Sequence, residues 1–285
     1  MRTFVFTCLL LLGMTTFAQD ANFHIYLCLG QSNMEGNAKV EEQDTVAVDS
    51  RFQVLAAVDC PNLGRTKGNW YKAVPPLARC YTGLTPGDYF GRAMVANLPS
   101  NVRVGIINVA VGGCRIELFD KDNYQFYVET SPDWLKNMVK EYGGNPYARL
   151  VEMAKLAQKD GVIKGILLHQ GESNTNDKDW PLKVKGVYDN LLNDLGLSAA
   201  NVPLLAGEVV HADQNGVCAS MNTIIDSLPQ VIPTAHVISS AGCPAAFDNL
   251  HFTAEGYRML GARYAAKMLS ILGYGDWTSA QNMKL

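Results

Sequence analysis

Short apolar runs alternate with amphipathic stretches along most of this chain. The first run, Ile25 to Leu29, stops abruptly at Gly30. A short apolar run bounded by glycine is typical of a strand buried on both faces of a parallel sheet. Four similar runs predict further strands over Arg103–Val109, Val162–Leu168, Pro203–Val209 and His236–Ser239.

Between these runs, apolar residues recur every three or four positions, which is the period of a helix with one buried face. The predicted helices span Asp88–Leu98, Pro146–Lys159, Leu182–Leu195 and Ala254–Leu272. Thr253 is well placed to cap the last of them. Alternation of strands and helices predicts a single α/β domain, a three-layer α/β/α sandwich with a five-stranded, mainly parallel sheet.

Residues 38–87 show neither period. This stretch is rich in proline, glycine and aromatic residues, so we expect an ordered irregular loop that walls one side of a functional site. Of the seven cysteines, Cys60 and Cys80 flank its Pro/Gly-rich part and are the preferred disulfide pair. Cys28 lies inside the first apolar run and is expected to be a core residue.

The N-terminus predicts the compartment. Residues 1–18 combine Arg2, an apolar segment and a small-x-small ending at Ala18, the pattern of a signal peptide too short to span a membrane. Residues 19–285 would form the mature domain, secreted or periplasmic. A formal net charge of −3 without basic clusters argues against nucleic acid and anionic membrane partners.

Polar, glycine-rich peptides follow three of the predicted strands, and a fourth polar peptide precedes the last helix. Because the carboxyl ends of parallel strands meet at one edge of a sheet, we expect all four to share a crevice. They are Gly30 to Asn33, Gly112 to Gly113, Gln170 to Asn174 and Asp248 to His251.

These peptides contain the groups that acyl transfer requires. Ser32 is the candidate nucleophile, His251 the base, and Asp248 the acid that orients the base. Candidate oxyanion donors are the backbone N–H groups of Ser32 and of Gly112 or Gly113, and the side-chain amide of Gln170. The alternative for Ser32 is a plain helix cap. The chain has no HxH, HExxH or Asp-rich metal motif, so no metal or other cofactor is expected.

The motifs GQSNM at 30–34, AVGG at 110–113, HQGESN at 169–174 and DNLH at 248–251 resemble those of SGNH-type hydrolases. Within that group, the chain is similar to carbohydrate acetylesterases of the acetylxylan esterase and sialate O-acetylesterase kind. The resemblance implies a flavodoxin-like fold and metal-free ester hydrolysis. It also implies a Ser32–His251–Asp248 triad, with Gly113 and Gln170 as oxyanion donors. Met34 replaces the last glycine of the α/β-hydrolase elbow, which argues against that class.

Two positions depart from the pattern of that group. A hydroxyl residue is expected where Cys114 stands, and a tryptophan is common near Phe119. Both differences bear on substrate contacts rather than on the chemistry.

Several nearby residues are expected to support the site or to line it. Asn33 is expected to be a turn residue that ties loops together, and Gln31 to support the site or line it. Glu172 is either a second acid oriented on His251 or a brace of the Ser32 turn. Arg115 either pairs with Glu117 or meets a sugar hydroxyl.

Other residues could be either packing groups or ligand contacts. His169 is expected to be a core histidine with hydrogen-bond partners. Trp70, Tyr71 and Trp180 would either stack on sugar rings or serve as packing anchors.

The sequence therefore predicts a secreted serine esterase that removes O-acetyl groups from a carbohydrate through an acetyl-enzyme. Acetylated carbohydrate would be its partner. A short-chain lipid or aryl esterase on the same fold is one alternative. A non-catalytic carbohydrate-binding relative is the other.

Overall fold

In a computed structural model describing residues 19–275, one sheet forms the middle layer. Its strands are β1 (Asp20–Gly30), β2 (Phe52–Leu55), β3 (Trp70–Lys72), β4 (Arg103–Ala110), β5 (Gly161–His169), β6 (Leu204–Gly207) and β7 (Ala235–Ile238). They follow the order β3-β2-β4-β1-β5-β6-β7 across the sheet. Among these described strands, only β3 is antiparallel to its neighbour.

Helices cover both faces of the sheet. Within residues 19–275, five of them have nine or more residues: α3 (Pro86–Asn97), α5 (Asp133–Glu141), α6 (Pro146–Ala157), α7 (Trp180–Leu195) and α10 (Ala254–Ile271). The shorter ones are α1 (Ser32–Glu35), α2 (Glu42–Thr45), α4 (Tyr124–Thr130), α8 (Asn222–Ile225) and α9 (Leu228–Val231).

The predicted three-layer α/β/α architecture is confirmed, but the predicted strand number is wrong. The described residues contain seven strands rather than five, because β2 and β3 lie within the stretch 38–87. These strands have four and three residues and lie at one edge of the sheet, where β3 is only partly buried. Alternation over so few residues is too short to be recognised among the surrounding prolines and glycines.

Strand β1 is the centre of the sheet, paired with β4 on one side and β5 on the other. Successive side chains of a strand point to opposite faces. Phe23, Ile25 and Leu27 accordingly enter the core on one face, while Tyr26 and Cys28 enter the core on the other. This explains why the run is apolar without alternation, and it confirms Cys28 as a core residue.

The ends of these three strands lie side by side. Gly30 is paired with Ala110 of β4 and with His169 of β5. The polar peptides after β1, β4 and β5 therefore begin from neighbouring positions at one edge of the sheet, as expected.

The expected Cys60–Cys80 disulfide is confirmed, and it lies in the stretch that contains β2 and β3. The predicted signal peptide, residues 1–18, falls outside the described residues, as do residues 276–285. Between residues 19 and 275, no helix combines the length and apolar character needed to cross a membrane.

Helices α3 and α10 pack closely on one face of the sheet. Helix α3 begins two residues earlier than predicted, because Thr85 and Asp88 form a capping box around Pro86. Gly261 of α10 lies against this first turn. A Cβ atom there would approach the carbonyl oxygen of Pro86 to 2.4 Å.

We expect Gly261→Ala to lower the free energy of unfolding by about 2 kcal/mol, because both helix backbones would have to move apart. Gly186→Ala on α7 is the matched control. Apart from the backbone of α7 itself, no atom lies within 4 Å of the point that a Cβ atom at Gly186 would occupy. Alanine should therefore stabilise that helix by about 0.5–1 kcal/mol. Urea denaturation measures both. Equal effects of the two substitutions would contradict the close helix contact.

Candidate active site

Ser32 lies at the start of α1, directly beyond the turn that ends β1. Gly30 has a φ of +147°, and a Cβ atom there would lie 2.0 Å from the carbonyl oxygen of His169. Only glycine permits this turn next to the neighbouring strand. The chain then enters a single helical turn, which leaves the first N–H groups of α1 without helical acceptors.

His251 contacts Ser32 directly. Its Nε2 lies 2.8 Å from the Ser32 Oγ, and its Nδ1 lies 2.7 Å from Oδ2 of Asp248. The other oxygen of Asp248 accepts the backbone N–H groups of Leu250 and His251, both at 3.0 Å. The structure therefore brings together the three residues that the sequence selected as nucleophile, base and orienting acid.

These hydrogen bonds also set the ionisation of Asp248. Burial alone would raise the pKa of its carboxyl group. The His251 ring and the two backbone N–H groups outweigh burial and lower this pKa below the usual value. Asp248 is therefore ionised at neutral pH, as required of a carboxylate that orients a histidine.

The glycine loop after β4 lies beside Ser32. Within residues 19–275, the backbone N–H groups of Ser32 and Gly113 have no acceptor. The N–H of Gly112 instead donates to the carboxylate of Glu35. Of the two glycines that were alternatives for the oxyanion site, the structure leaves Gly113 with a free donor.

The Gln170 side chain departs from its expected place. It is 1% exposed, and its amide donates to Asn174 Oδ1 at 2.8 Å, Gln31 Oε1 at 3.1 Å and the Cys114 carbonyl at 3.3 Å. Its own oxygen accepts from Trp180 Nε1. An amide with two hydrogens has no further donor to offer. We therefore correct the expected oxyanion role of Gln170.

Gln31 and Gln170 instead connect the three strand ends. Gln31 Oε1 also accepts the backbone N–H of Ser173 at 3.2 Å, and Ser173 Oγ donates to the Gly113 carbonyl at 3.0 Å. Cys114 is fully buried, with its thiol 3.6 Å from the Gly30 carbonyl. This network fixes the glycine loop relative to the Ser32 turn, so Gln31 has the expected supporting place.

Asn33 ties loops together, as predicted. Its amide donates to Glu172 and, at 3.1 Å, to the Leu250 carbonyl, and its oxygen accepts the Tyr257 hydroxyl at 2.6 Å. Glu172 therefore braces the Ser32 turn, although through the Asn33 side chain rather than through backbone N–H groups. Its hydrogen bond goes to Asn33 and not to the His251 ring.

His169 is a core histidine, as expected, but only one of its two ring nitrogens has a hydrogen-bond partner among the described residues. Its Nε2 lies 3.0 Å from the Glu208 carbonyl, whereas its buried Nδ1 has no hydrogen bond within the described residues. Glu172 Oε1 lies 3.8 Å from that atom. Burial lowers the pKa of His169, so the ring is neutral at neutral pH.

Arg115 pairs with Glu117, at 3.3 Å, and with Asp177, at 3.5 Å. This favours the ion pair over a sugar contact. The aromatic residues with two interpretations are packing anchors. Trp180 is in the core, Trp70 Nε1 donates to Asp160, and Tyr71 accepts the Thr66 N–H.

An open cleft of about 340 Å³ gives access to Ser32 and His251. Its walls include Glu35, Trp134, Met138 and Leu250, which sequence reasoning missed. Glu35 carried a signal, since it follows Ser32 by three residues and comes directly after the GQSNM motif. Trp134 and Met138 come from α5, in a stretch interpreted only as a connection. No group of three or more potential metal ligands occurs in residues 19–275.

Glu35 binds the glycine loop through the backbone N–H of Gly112. Besides the Gly112 N–H, its carboxylate accepts Arg79 Nε at 3.1 Å and Arg79 Nη2. Burial raises the pKa of Glu35 despite this ion pair. Burial alone would lower the pKa of Arg79, but attraction to Glu35 raises it overall. Arg79 precedes disulfide-bonded Cys80, so the disulfide anchors this contact.

Comparison with known proteins identifies the family. The model of a carbohydrate esterase family, the sialic acid-specific acetylesterases, matches residues 22–270. A probable carbohydrate esterase of Arabidopsis thaliana is 25% identical over 264 residues, covering 86% of this chain and 90% of that protein.

Solved structures show the same fold. An Arabidopsis thaliana protein has a TM-score of 0.67 at 22% identity, covering 88% of this chain and 99% of that one. The structure of NanS has a TM-score of 0.63 at 15% identity, and the match covers 90% of this chain and 99% of NanS. A carbohydrate acetylesterase from Xanthomonas citri has a TM-score of 0.60 at 17% identity, and the match covers 87% of this chain and 56% of that one.

Fold and family agree: this chain is a carbohydrate esterase on an α/β/α sandwich. It belongs to the sialic acid-specific acetylesterase family of carbohydrate esterases. The resemblance seen in its motifs is confirmed at that level.

We expect Arg79→Met to lower the free energy of unfolding by about 3 kcal/mol at pH 7, because Glu35 would be buried without its counterion. The Glu35 pKa, already raised in the folded state, would rise further. The loss should therefore shrink as pH falls to about 4, where Glu35 is largely protonated folded or unfolded.

Urea denaturation of the wild type and of the Arg79→Met variant at several pH values measures this loss of unfolding free energy. The Glu35→Gln, Arg79→Met double variant is the control, since it removes the buried charge and should recover part of the loss. A loss independent of pH would show that Arg79 stabilises the fold by packing and not through Glu35.

Proposed function

We propose that the protein is a serine esterase that removes O-acetyl groups from carbohydrates through an acetyl-enzyme. One observation carries this proposal above all. In a chain of the carbohydrate acetylesterase family, the Ser32 hydroxyl lies 2.8 Å from His251, which is itself held 2.7 Å from Asp248. Hydroxyl, imidazole and carboxylate in series are the arrangement that makes serine a nucleophile.

In the first half-reaction, His251 Nε2 accepts the Ser32 proton while Ser32 Oγ attacks the acetyl carbonyl carbon. The tetrahedral intermediate then collapses. The bond to the sugar oxygen breaks, and that oxygen takes the proton from His251. In the second half-reaction, His251 removes a proton from water, and the water oxygen attacks the acetyl carbon. The bond between that carbon and Ser32 Oγ then breaks, Ser32 Oγ takes the proton back from His251, and acetate leaves.

The developing oxyanion needs donors beside the Ser32 hydroxyl. Ser32 and Gly113 line the cleft, and their backbone N–H groups have no acceptor in the described part of the chain. We assign the oxyanion site to these two donors, each worth about 3–4 kcal/mol of barrier. Gln31, Gln170, Glu35 and Asn33 are positioning residues, because they hold the two backbone segments rather than face the cleft with a free donor.

We also propose that the enzyme is exported. Residues 1–18 have the pattern of a signal peptide. The Cys60–Cys80 disulfide supports this proposal, since such bonds persist in oxidising compartments.

Replacing Ser32 by alanine should lower kcat for p-nitrophenyl acetate and for acetylated sugars by about 10⁴-fold or more, because no oxygen remains to form the acetyl-enzyme. Ser270→Ala is the matched control, an exposed serine at the end of α10. Rates are measured by nitrophenol absorbance and acetate release, with circular dichroism to confirm folding. A folded Ser32→Ala enzyme with near wild-type kcat would refute the mechanism.

A further inference from the structure

The cleft is chemically two-sided. Trp134 and Met138, four residues apart on α5, form an apolar wall, while Glu35, Glu172 and Ser173 supply polar groups. Trp134 is 54% exposed although Leu135 and Val139 of the same helix are buried. An exposed tryptophan at the entrance of a polar cleft offers a flat surface that the C–H face of a sugar ring can cover.

The position of Trp134 is fixed by the glycine loop. Gly113 has a φ of +69°, and a Cβ atom there would lie 2.6 Å from the Cη2 atom of the Trp134 ring. The indole edge therefore packs directly on Gly113, which also lines the cleft. A sugar stacked on this indole would lie in the same cleft as Ser32 and His251.

Apart from His251, the ionisable side chains that line the cleft are carboxylates, within the described residues. The acidic groups that line it are Glu35 and Glu172, and no lysine or arginine lines it in the part of the chain that the structure describes. Lys39 and Lys136 lie outside the lining residues. The Glu35 carboxylate is compensated by its ion pair with Arg79, and an anionic substrate would find no free cation among the lining residues to receive it.

Arg79 contacts the lining residue Glu35, and Arg115 follows the lining residue Gly113 by two positions. Carboxylates already pair with both arginines. Arg79 binds Glu35 and Glu141, and both of its pairs lie at a largely buried guanidinium. Arg115 binds Glu117 and Asp177, which are also bound by Lys183. Drawing either arginine to a substrate carboxylate would leave a protein carboxylate with less compensation.

From these observations we infer that the substrate is an acetylated neutral sugar stacked on Trp134, and not a sugar that carries a carboxylate. The inference rests on the proposed esterase function and narrows its substrate class. It also separates this chain from what the name of its family describes, since sialic acids are anionic sugars.

The direct test is a matched substrate pair. A methyl glucopyranoside and the corresponding methyl glucopyranosiduronic acid, acetylated at the same ring position, differ in one carboxylate. We expect kcat/KM to favour the neutral sugar by about tenfold or more at low ionic strength. The preference should narrow at about 0.5 M salt, because the open cleft is screened.

The outcomes separate the two proposals. Equal rates, or a preference for the acid, overturn the inference but leave a carbohydrate O-acetylesterase. If neither sugar, nor an acetylated xylo-oligosaccharide, nor an O-acetylated sialic acid is hydrolysed, the proposed function fails and the inference fails with it.

Two variants locate the effect in the cleft. Met138→Lys adds a cation to the wall and should raise the acid-to-neutral ratio of kcat/KM about fivefold or more. Phe126→Lys adds the same charge at a residue 74% exposed on α4 and should leave the ratio at the wild-type value. Equal changes in both would indicate a long-range charge effect and refute a cleft-based preference.

Trp134→Ala should raise KM for the neutral sugar about tenfold with a smaller change in kcat, because the stacking surface is lost. Trp134→Phe should recover most of the affinity, and Phe126→Ala is the matched control. An unchanged KM in Trp134→Ala would refute the stacking surface.

Discussion

The site depends on how closely the end of β1 approaches the end of β5. Gly30 turns where a side chain would collide with the His169 carbonyl, and this turn delivers Ser32 to the edge of the sheet. Because β1 is paired on both sides, the loops after β4 and β5 begin at the same level as Ser32. A displacement of one residue in the pairing of β1 with β4 would separate the nucleophile from the glycine loop.

Around this turn, several polar side chains bind backbone groups and one another. Gln170 and Gln31 connect three strand ends, Asn33 connects the Ser32 turn to the loop that carries His251, and Glu35 holds Gly112. Such preorganisation leaves the backbone N–H groups of Ser32 and Gly113 without acceptors, and we propose that they bind the charge that develops during acyl transfer. Glu35 and its partner Arg79 are further tied to the disulfide, so a covalent bond some distance along the chain contributes to the same geometry.

Sequence reasoning succeeded where one physical constraint acts alone. The buried strands appear as apolar runs, and the residues at their ends follow from the rule that parallel strands present chemistry at their carboxyl ends. It failed where the outcome depends on competition between partners. Gln170 has the right type and place for an oxyanion donor, but Asn174, Gln31 and the Cys114 carbonyl use its hydrogens. Strands β2 and β3 are too short to show a period, and the position of Trp134 depends on how α5 packs.

The proposed function depends on attack of the Ser32 hydroxyl on the ester carbonyl. The most direct test is labelling with a p-nitrophenyl organophosphonate, followed by mass spectrometry of the proteolysed protein. We expect one phosphonyl group per molecule, on Ser32, and a labelling rate that falls about 10³-fold or more in the His251→Ala variant. Labelling of a different residue in active enzyme, or labelling of Ser32 that is unaffected by loss of His251, would contradict it.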